Sequence, residues 1–152
     1  MLNSAVVASV RRSDLDTFNQ QVLACQDQAF TLAAYLLGDD RIADEVVQRA
    51  VLQTYRQARM SAGMAVRDSI LRHVLRLCDL QNARPKALPA GLARLPDRER
   101  RSLLLVDVLR LSYAEAAGVL GCSSASLAQW IADARQRLVP YMATPSGEVA
   151  GA

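Results

Sequence analysis

The stretch LSYAEAAGVLGCSSASLAQW, residues 111–130, decides the fold. Ser112 and Glu115 have the spacing of a capping box, in which each side chain accepts a hydrogen bond from the other residue's backbone N–H at a helix start. Gly121 is suited to end that helix, and Ser123 or Ser124 is suited to cap the next one. Two helices with so short a connection predict a helical hairpin or a helix-turn-helix.

A helix-turn-helix needs a small residue where its helices cross, a glycine in the turn and an aliphatic residue facing back from the second helix. Ala117, Gly121 and Leu127 supply these at spacings of four and six, and Leu120 adds a core position. We therefore predict a helix-turn-helix whose second helix runs to Val139 and stops at Pro140. Upstream of it, another helix is predicted to begin at Pro96, where proline is tolerated as a first residue.

The first eighty residues predict a bundle of three helices. Apolar residues recur every three or four positions from about Asp14 to Leu37, and Gly38 ends that pattern. A second helix begins at Asp39 and Asp40, and a third runs from about 65 to 81 after a break at 61–63. The polar outer face of the second helix holds Asp44, Glu45, Gln48, Arg49, Leu52, Gln53, Arg56 and Gln57, and that of the third holds Arg67, Arg72 and Arg76.

Between the two helical segments, residues 82–96 contain three prolines and Gly91, so no long helix is expected there. The predicted fold class is all-α, with two small helical modules: a three-helix N-terminal bundle and a C-terminal helix-turn-helix module, joined by a Pro-containing linker. The expected bounds are 1–82 for the first module, 83–95 for the linker and 96–140 for the second module. A mobile tail is expected at 141–152.

The net charge of +3 permits polyanion binding, but its distribution is uneven. Acids balance the arginines in residues 1–82, residues 83–101 have an excess of four positive charges, and residues 102–152 are slightly acidic. The positive charge therefore lies upstream of the final helix.

The remaining chemistry-bearing residues predict no reaction of the chain's own. Cys25, Cys78 and Cys122 are unpaired in pattern and are expected to be buried, reduced thiols. His73 is the only histidine and has no partner ligand in the pattern, so neither a metal nor another cofactor is predicted. No nucleophile–base arrangement is present, which argues against an enzyme. No long apolar run predicts membrane insertion, and a cytoplasmic protein is expected.

Several motifs resemble extracytoplasmic-function sigma factors, a branch of the sigma-70 family. In the second module these are LPDRER (95–100), LLLVDV (103–108) and LSYAEAAGVLG (111–121); in the first they are DTFN (16–19), AAYLLGD (33–39) and ADEVVQ (43–48). The resemblance covers roughly residues 14–139. It implies a sigma factor that directs bacterial core RNA polymerase to promoter DNA in transcription initiation, and an anti-sigma factor as a further partner.

The resemblance also implies roles for particular residues. The outer face of the second helix would bind polymerase through Asp44, Glu45, Gln48, Arg49 and Gln53. The third helix would contact the melted promoter strand through Arg67, Arg72 and Arg76. The final helix would enter the major groove, with Ser124, Ser126, Gln129 and Arg135 as its DNA-binding residues. Trp130 is open to two interpretations: a core residue, or an exposed aromatic at a partner surface.

The final helix departs from the family pattern. Ala128, Trp130 and Asp133 occupy positions where the family prefers cations, while Ser69 and Arg76 stand at the usual tryptophan and asparagine positions of the third helix. Because phosphate neutralisation supplies much of DNA affinity, a helix with no cation before Arg135 should bind DNA weakly by itself. The alternative function is a sigma-like adaptor that binds a protein regulator without reading a promoter.

Overall fold

The computed structural model describes residues 4–59, 65–81 and 88–142, with side chains from residue 11 onward. Every regular element in these ranges is a helix, and the predicted all-α fold class is confirmed. The chain divides into two compact units, Met1–Arg84 and Pro85–Ala152. None of the described helices is long and apolar enough to cross a membrane.

The first unit consists of three helices, α1 (Ser4–Leu37), α2 (Asp40–Ala58) and α3 (Val66–Leu80), each packed on the other two. Helix α1 begins well before the predicted start near Asp14. The prediction rested on apolar periodicity, which begins only at Phe18. The preceding residues lack proline and glycine, so the helix continues there without an apolar stripe.

The junction between α1 and α2 follows the sequence closely. Gly38 adopts the left-handed conformation with φ 66°, which ends α1 as predicted. Asp39 then caps α2, because its Oδ1 accepts hydrogen bonds from the backbone N–H groups of Arg41 at 2.9 Å and Ile42 at 3.0 Å. The predicted break at 61–63 lies outside the described residues.

The core of the first unit is built from the apolar stripes of its three helices. Phe18 packs on Tyr55 with ring centroids 5.2 Å apart, and Leu32, Ile70 and Leu71 are fully buried. Burying one such aliphatic side chain contributes about 1.5–3 kcal/mol. Cys25 and Cys78 are buried, as predicted, whereas Cys122 of the second unit is half-buried.

The second unit contains α4 (Ala90–Ala93), α5 (Asp97–Leu103), α6 (Tyr113–Leu120) and α7 (Ser124–Met142). A π-helical turn, Leu104–Val108, continues α5 and places Leu104 and Leu105 in the core. These two residues and Leu127 and Ile131 of α7 are all fully buried.

The predicted linker at 83–95 is wrong in its second half, because residues 88–95 are part of the second unit. A Cβ atom on the buried Gly91 would lie 2.9 Å from Leu138 Cδ2, so a larger residue here would require the Leu138 side chain to shift. Arg100 donates to the carbonyl oxygens of Leu92 and Leu95 at 3.0 and 2.8 Å, which satisfies groups that the short helix leaves open. Residues 83–87 lie outside the described part of the chain.

Helix α7 continues past its predicted end at Pro140, and the tail predicted at 141–152 is wrong for its first two residues. Tyr141 packs against Gly91, and the Arg94 guanidinium lies 5.9 Å from the centroid of the Tyr141 ring. A proline in the last turn removes only one hydrogen bond, and the packing of Tyr141 offsets that loss. Residues 143–152 lie outside the described part of the chain.

Candidate nucleic-acid and polymerase interfaces

The helix-turn-helix of the second unit is formed by α6 and α7. Its capping box is complete: Ser112 Oγ accepts from the Glu115 N–H at 3.1 Å, and Glu115 Oε2 accepts from the Ser112 N–H at 2.8 Å. Gly121 ends α6 with φ 68°. Ser123 caps α7, since its Oγ accepts from the Ser126 N–H at 3.1 Å. The predicted turn is therefore confirmed.

Helix α7 presents four rows of side chains, which have different surroundings; one of them is the exposed row of Ser124, Ala128, Arg135 and Val139. The buried row is Leu127, Ile131, Ala134 and the half-buried Leu138. The outer row, which is exposed throughout, is Ala125, Gln129, Ala132 and Gln136. The flank row, which borders it on one side, is Ser126, Trp130, Asp133 and Arg137. The outer row is the one that a DNA groove would meet, and it contains no charged residue.

Both arginines of α7 pair with carboxylates of the same unit. Arg135 donates to Asp107 Oδ1 at 3.0 Å, and this hydrogen bond raises the pKa of Arg135. Arg137 Nε lies 3.2 Å from Glu99 Oε2 and forms an ion pair with it. The Glu99 oxygen is buried, and the geometry of the pair is not that of a hydrogen bond. Arg135, predicted to contact DNA, is therefore already engaged by an acid.

The other predicted DNA contacts on α7 are placed differently from one another. Ser124 is exposed at the helix start. Ser126 is half-buried, and its Oγ accepts a hydrogen bond from Ser123 Oγ at 2.9 Å. Gln129 lies in the outer row, where its amide donates to Asp133 Oδ1 at 2.8 Å. Gln129 is thus the predicted base-reading residue with the most suitable position.

In the first unit, the outer face of α2 is largely as predicted. Asp44, Glu45, Gln48 and Arg49 are exposed, whereas Gln53 is half-buried. Gln48 donates to Asp44 Oδ2 at 2.8 Å. The opposite side of the helix holds five buried residues, which are Ala43, Val46, Val47, Ala50 and Thr54. Four of the five residues predicted to bind polymerase therefore form one continuous polar surface.

The arginines predicted on the outer face of α3 differ in exposure. Arg72 and Arg76 are exposed. Arg67 is partly covered, with 34% of its side chain accessible and its Nε 3.3 Å from Asp68 Oδ1. Arg72 and Arg76 are therefore better placed to meet a nucleic-acid backbone than Arg67.

A buried polar cluster between α2 and α3 was not predicted. Gln57 Oε1 accepts from Ser69 Oγ at 3.1 Å and lies 3.0 Å from His73 Nε2. Burial lowers the pKa of His73, and the nearby Arg76 and Arg72 lower it further. Gln57 is exposed, as its predicted place on the outer face of α2 requires. The signal for the cluster was the spacing of Ser69 and His73, which are four residues apart on one side of α3.

Two atoms near this cluster are buried without a hydrogen-bond partner: His73 Nδ1 and Thr54 Oγ1. With Nε2 as the donor to Gln57, Nδ1 of the neutral ring is an unpaired acceptor. Within the described ranges, no three His, Cys, Asp or Glu side chains are grouped so as to hold a metal. The cluster therefore links α2 and α3 by hydrogen bonds.

A helix-turn-helix that follows a separate three-helix bundle defines a class of all-helical proteins whose recognition helix can dock in DNA. Residues 86–138 match the family model described as sigma-70, region 4. The match begins upstream of the predicted module start at 96, in agreement with the packing of α4 on α7.

Two solved structures share the fold of the chain. CnrH, determined in complex with the cytosolic domain of CnrY, is 20% identical with a TM-score of 0.75, covering 89% of this chain and 93% of that chain. The sigma factor RpoE, determined with the anti-sigma factor NepR from Bartonella quintana, is 16% identical with a TM-score of 0.67, covering 83% and 96% respectively. None of the curated proteins matches the sequence.

The resemblance to sigma factors is borne out for residues 86–138 by the match to the sigma-70, region 4 model, and CnrH and RpoE share the fold of the chain.

Proposed function

We propose that the chain is a sigma factor that directs core RNA polymerase to a set of promoters. The observation that carries the proposal is the match of residues 86–138 to sigma-70, region 4, in a chain whose fold matches that of the sigma factor RpoE. The chain would act by binding and positioning, without catalysis of its own. This role requires it to work in the cytoplasm, where polymerase and promoter DNA are found.

In this proposal the exposed face of α2 binds polymerase. Glu45 and Arg49 are exposed and form no ion pair with another described residue, so their charges are available to a partner. Charged groups of this kind steer association and fix the orientation of the complex. The buried residues on the other side of α2 keep the helix position fixed while the outer face is occupied.

The first experiment is co-purification with core polymerase of the wild type and the triple variant Asp44→Lys, Glu45→Lys, Arg49→Glu. Exposed substitutions usually change stability by within about 0.5 kcal/mol each, so the variant should fold. We expect it to lose most polymerase binding. A matched control is Arg12→Glu, Asp14→Lys, Asp16→Lys on the exposed start of α1, which makes the same change in net charge.

Run-off transcription on genomic fragments then tests promoter direction. Wild type and control should yield discrete transcripts with core polymerase, and the α2 variant should not. Equal polymerase binding by the α2 variant and the control would remove α2 as the interface. Polymerase binding without any discrete transcript would contradict the sigma-factor proposal.

The uncharged outer row of α7 favours a second candidate, a sigma-like adaptor that binds a protein regulator without reading a promoter. Both arginines of α7 pair with a carboxylate, so hydroxyl and amide groups are the polar groups left to face DNA. The adaptor would bind its regulator yet give no transcripts in the run-off experiment.

A protein inhibitor is the further partner that we propose. RpoE was determined with an anti-sigma factor, and CnrH with the cytosolic domain of CnrY. An inhibitor of this class that covered the α2 face would compete with polymerase for Glu45 and Arg49.

A further inference from the structure

A stacked pair of side chains lies beside the outer row of α7. The guanidinium carbon of Arg98, on α5, lies 5.6 Å from the centroid of the Trp130 ring on the flank row. Arg98 is exposed, and no carboxylate of the described residues lies within ion-pair distance of it. By contrast, Arg135 and Arg137 each pair with an acid.

The contact with the ring leaves the guanidinium N–H groups of Arg98 available to form hydrogen bonds. A guanidinium over an aromatic face is held by the ring's negative quadrupole, while its N–H groups point outward around its edge. Those groups form the planar donor fork that matches two oxygens of a phosphate. Because the ring already restricts the side chain, less conformational entropy is lost when an anion binds.

The position of the pair favours the phosphate backbone over the bases. A helix in the major groove faces the base edges with its outermost row, and the backbones pass along its flanks. Trp130 follows Gln129 of the outer row directly in sequence and lies on the adjoining flank. We propose that Arg98, held over Trp130, is a DNA-phosphate-binding site that supplies from α5 a cation that the outer row of α7 lacks. This inference rests on the proposed function and adds a contact to it.

The same unit contains a comparable pair away from the outer row. Arg94 is exposed and stacks on Tyr141 at the C-terminal end of α7, 5.9 Å from the ring centroid. At 1.5 Å of rise per residue, Tyr141 lies about 16 Å further along the helix than Trp130. Arg94→Ala therefore removes the same charge and the same kind of contact at a distance from the proposed site.

The test is duplex DNA binding by the full chain, measured by fluorescence anisotropy from about 20 to 200 mM salt. Arg98→Ala should weaken binding several-fold and reduce the slope of log affinity against log salt by about 0.9, the value for one phosphate contact. Trp130→Leu should weaken binding with little change in slope, because the charge remains but is no longer held in place. Arg94→Ala should match the wild type, and circular dichroism should show that all variants are folded.

Three results would overturn the site: equal effects of Arg98→Ala and Arg94→Ala, an unchanged slope in Arg98→Ala, or no duplex binding by the wild type at the lowest salt. Run-off transcription by the wild type separates this inference from the proposed function. Transcripts together with equal effects of the two variants would remove the site and leave the sigma-factor proposal standing. A reduced slope without transcripts would keep the site and remove the proposal.

Discussion

The charged residues of the two units differ in how they are paired. The first unit exposes Glu45 and Arg49 on α2, and neither forms an ion pair with another described residue. In the second unit, Arg100, Arg135 and Arg137 each pair with an acid of the same unit. The outer row of α7 has no charge.

This difference indicates how each unit would contribute to binding. A charged surface attracts its partner over several ångströms and gains from low salt, whereas hydroxyls and amides act only at contact. A weakly binding recognition helix can still select a sequence if another part of the chain holds it near DNA, because tethering raises the effective concentration. We therefore expect the first unit to supply affinity and the second to supply selection.

The largest expected effect tests the assignment of rows on α7. Leu127→Ala should destabilise the second unit by about 2–5 kcal/mol, because the residue is fully buried and its loss leaves a cavity. Ala132→Lys, on the outer row, should change stability by within about 0.5 kcal/mol. Urea unfolding followed by Trp130 fluorescence reports this unit alone, since Trp130 is the only tryptophan. Similar losses in both variants would contradict the separation of the rows.

A smaller effect tests the buried polar cluster of the first unit. The pKa of His73 is lowered by burial, so the unfolded chain takes up its proton first as the pH falls. The contribution of neutral His73 to the free energy of unfolding should be fully present above about pH 6.5. It should be lost as the pH falls through the lowered pKa that His73 has in the folded state. The protonated ring would also hold a buried donor, Nδ1–H, with no acceptor.

Urea unfolding by circular dichroism from about pH 8 to pH 5.5 measures this dependence. Since His73 is the only histidine, the Trp130 transition of the second unit should stay constant over the same range. His73→Gln, which can donate to Gln57 but cannot titrate, should abolish the dependence. A dependence of the same size in the variant would exclude His73 as its source.

The smallest effect concerns the pair of Arg135 and Asp107. Both side chains are about half exposed, at 55% and 45%, so solvent screens their attraction. A double-mutant cycle of Arg135→Ala and Asp107→Ala should give a coupling energy of about 0.2–1 kcal/mol. If the pair is structural only, Arg135→Ala should leave DNA affinity unchanged. A DNA affinity that falls in Arg135→Ala and rises in Asp107→Ala would show that Asp107 withholds a cation from DNA.

Local signals in the sequence predicted much of the fold. The capping box at Ser112, the left-handed glycines Gly38 and Gly121, and the cap at Asp39 depend on backbone hydrogen bonds within a few residues, and all are confirmed. These features need no knowledge of distant parts of the chain.

The errors arose where distant residues override a local preference. Prolines and Gly91 predicted a linker, but the close approach of Leu138 and the hydrogen bonds from Arg100 hold that segment in the second unit. Likewise, Tyr141 keeps α7 helical beyond Pro140. In the candidate sites, exposure could be predicted from helical spacing, but the partners of Arg135 and Gln57 could not, because they lie on other helices.

The separation of the rows on α7 bears on how this protein can change over generations. Ala125 and Ala132 lie in the outer row, so mutations there alter the surface without disturbing Leu127 or Ile131 beneath it. A single substitution to lysine or arginine there would add a hydrogen-bond donor facing the base edges at almost no cost in stability. Binding preference can therefore drift by single steps in either direction while selection for folding acts on a different set of residues.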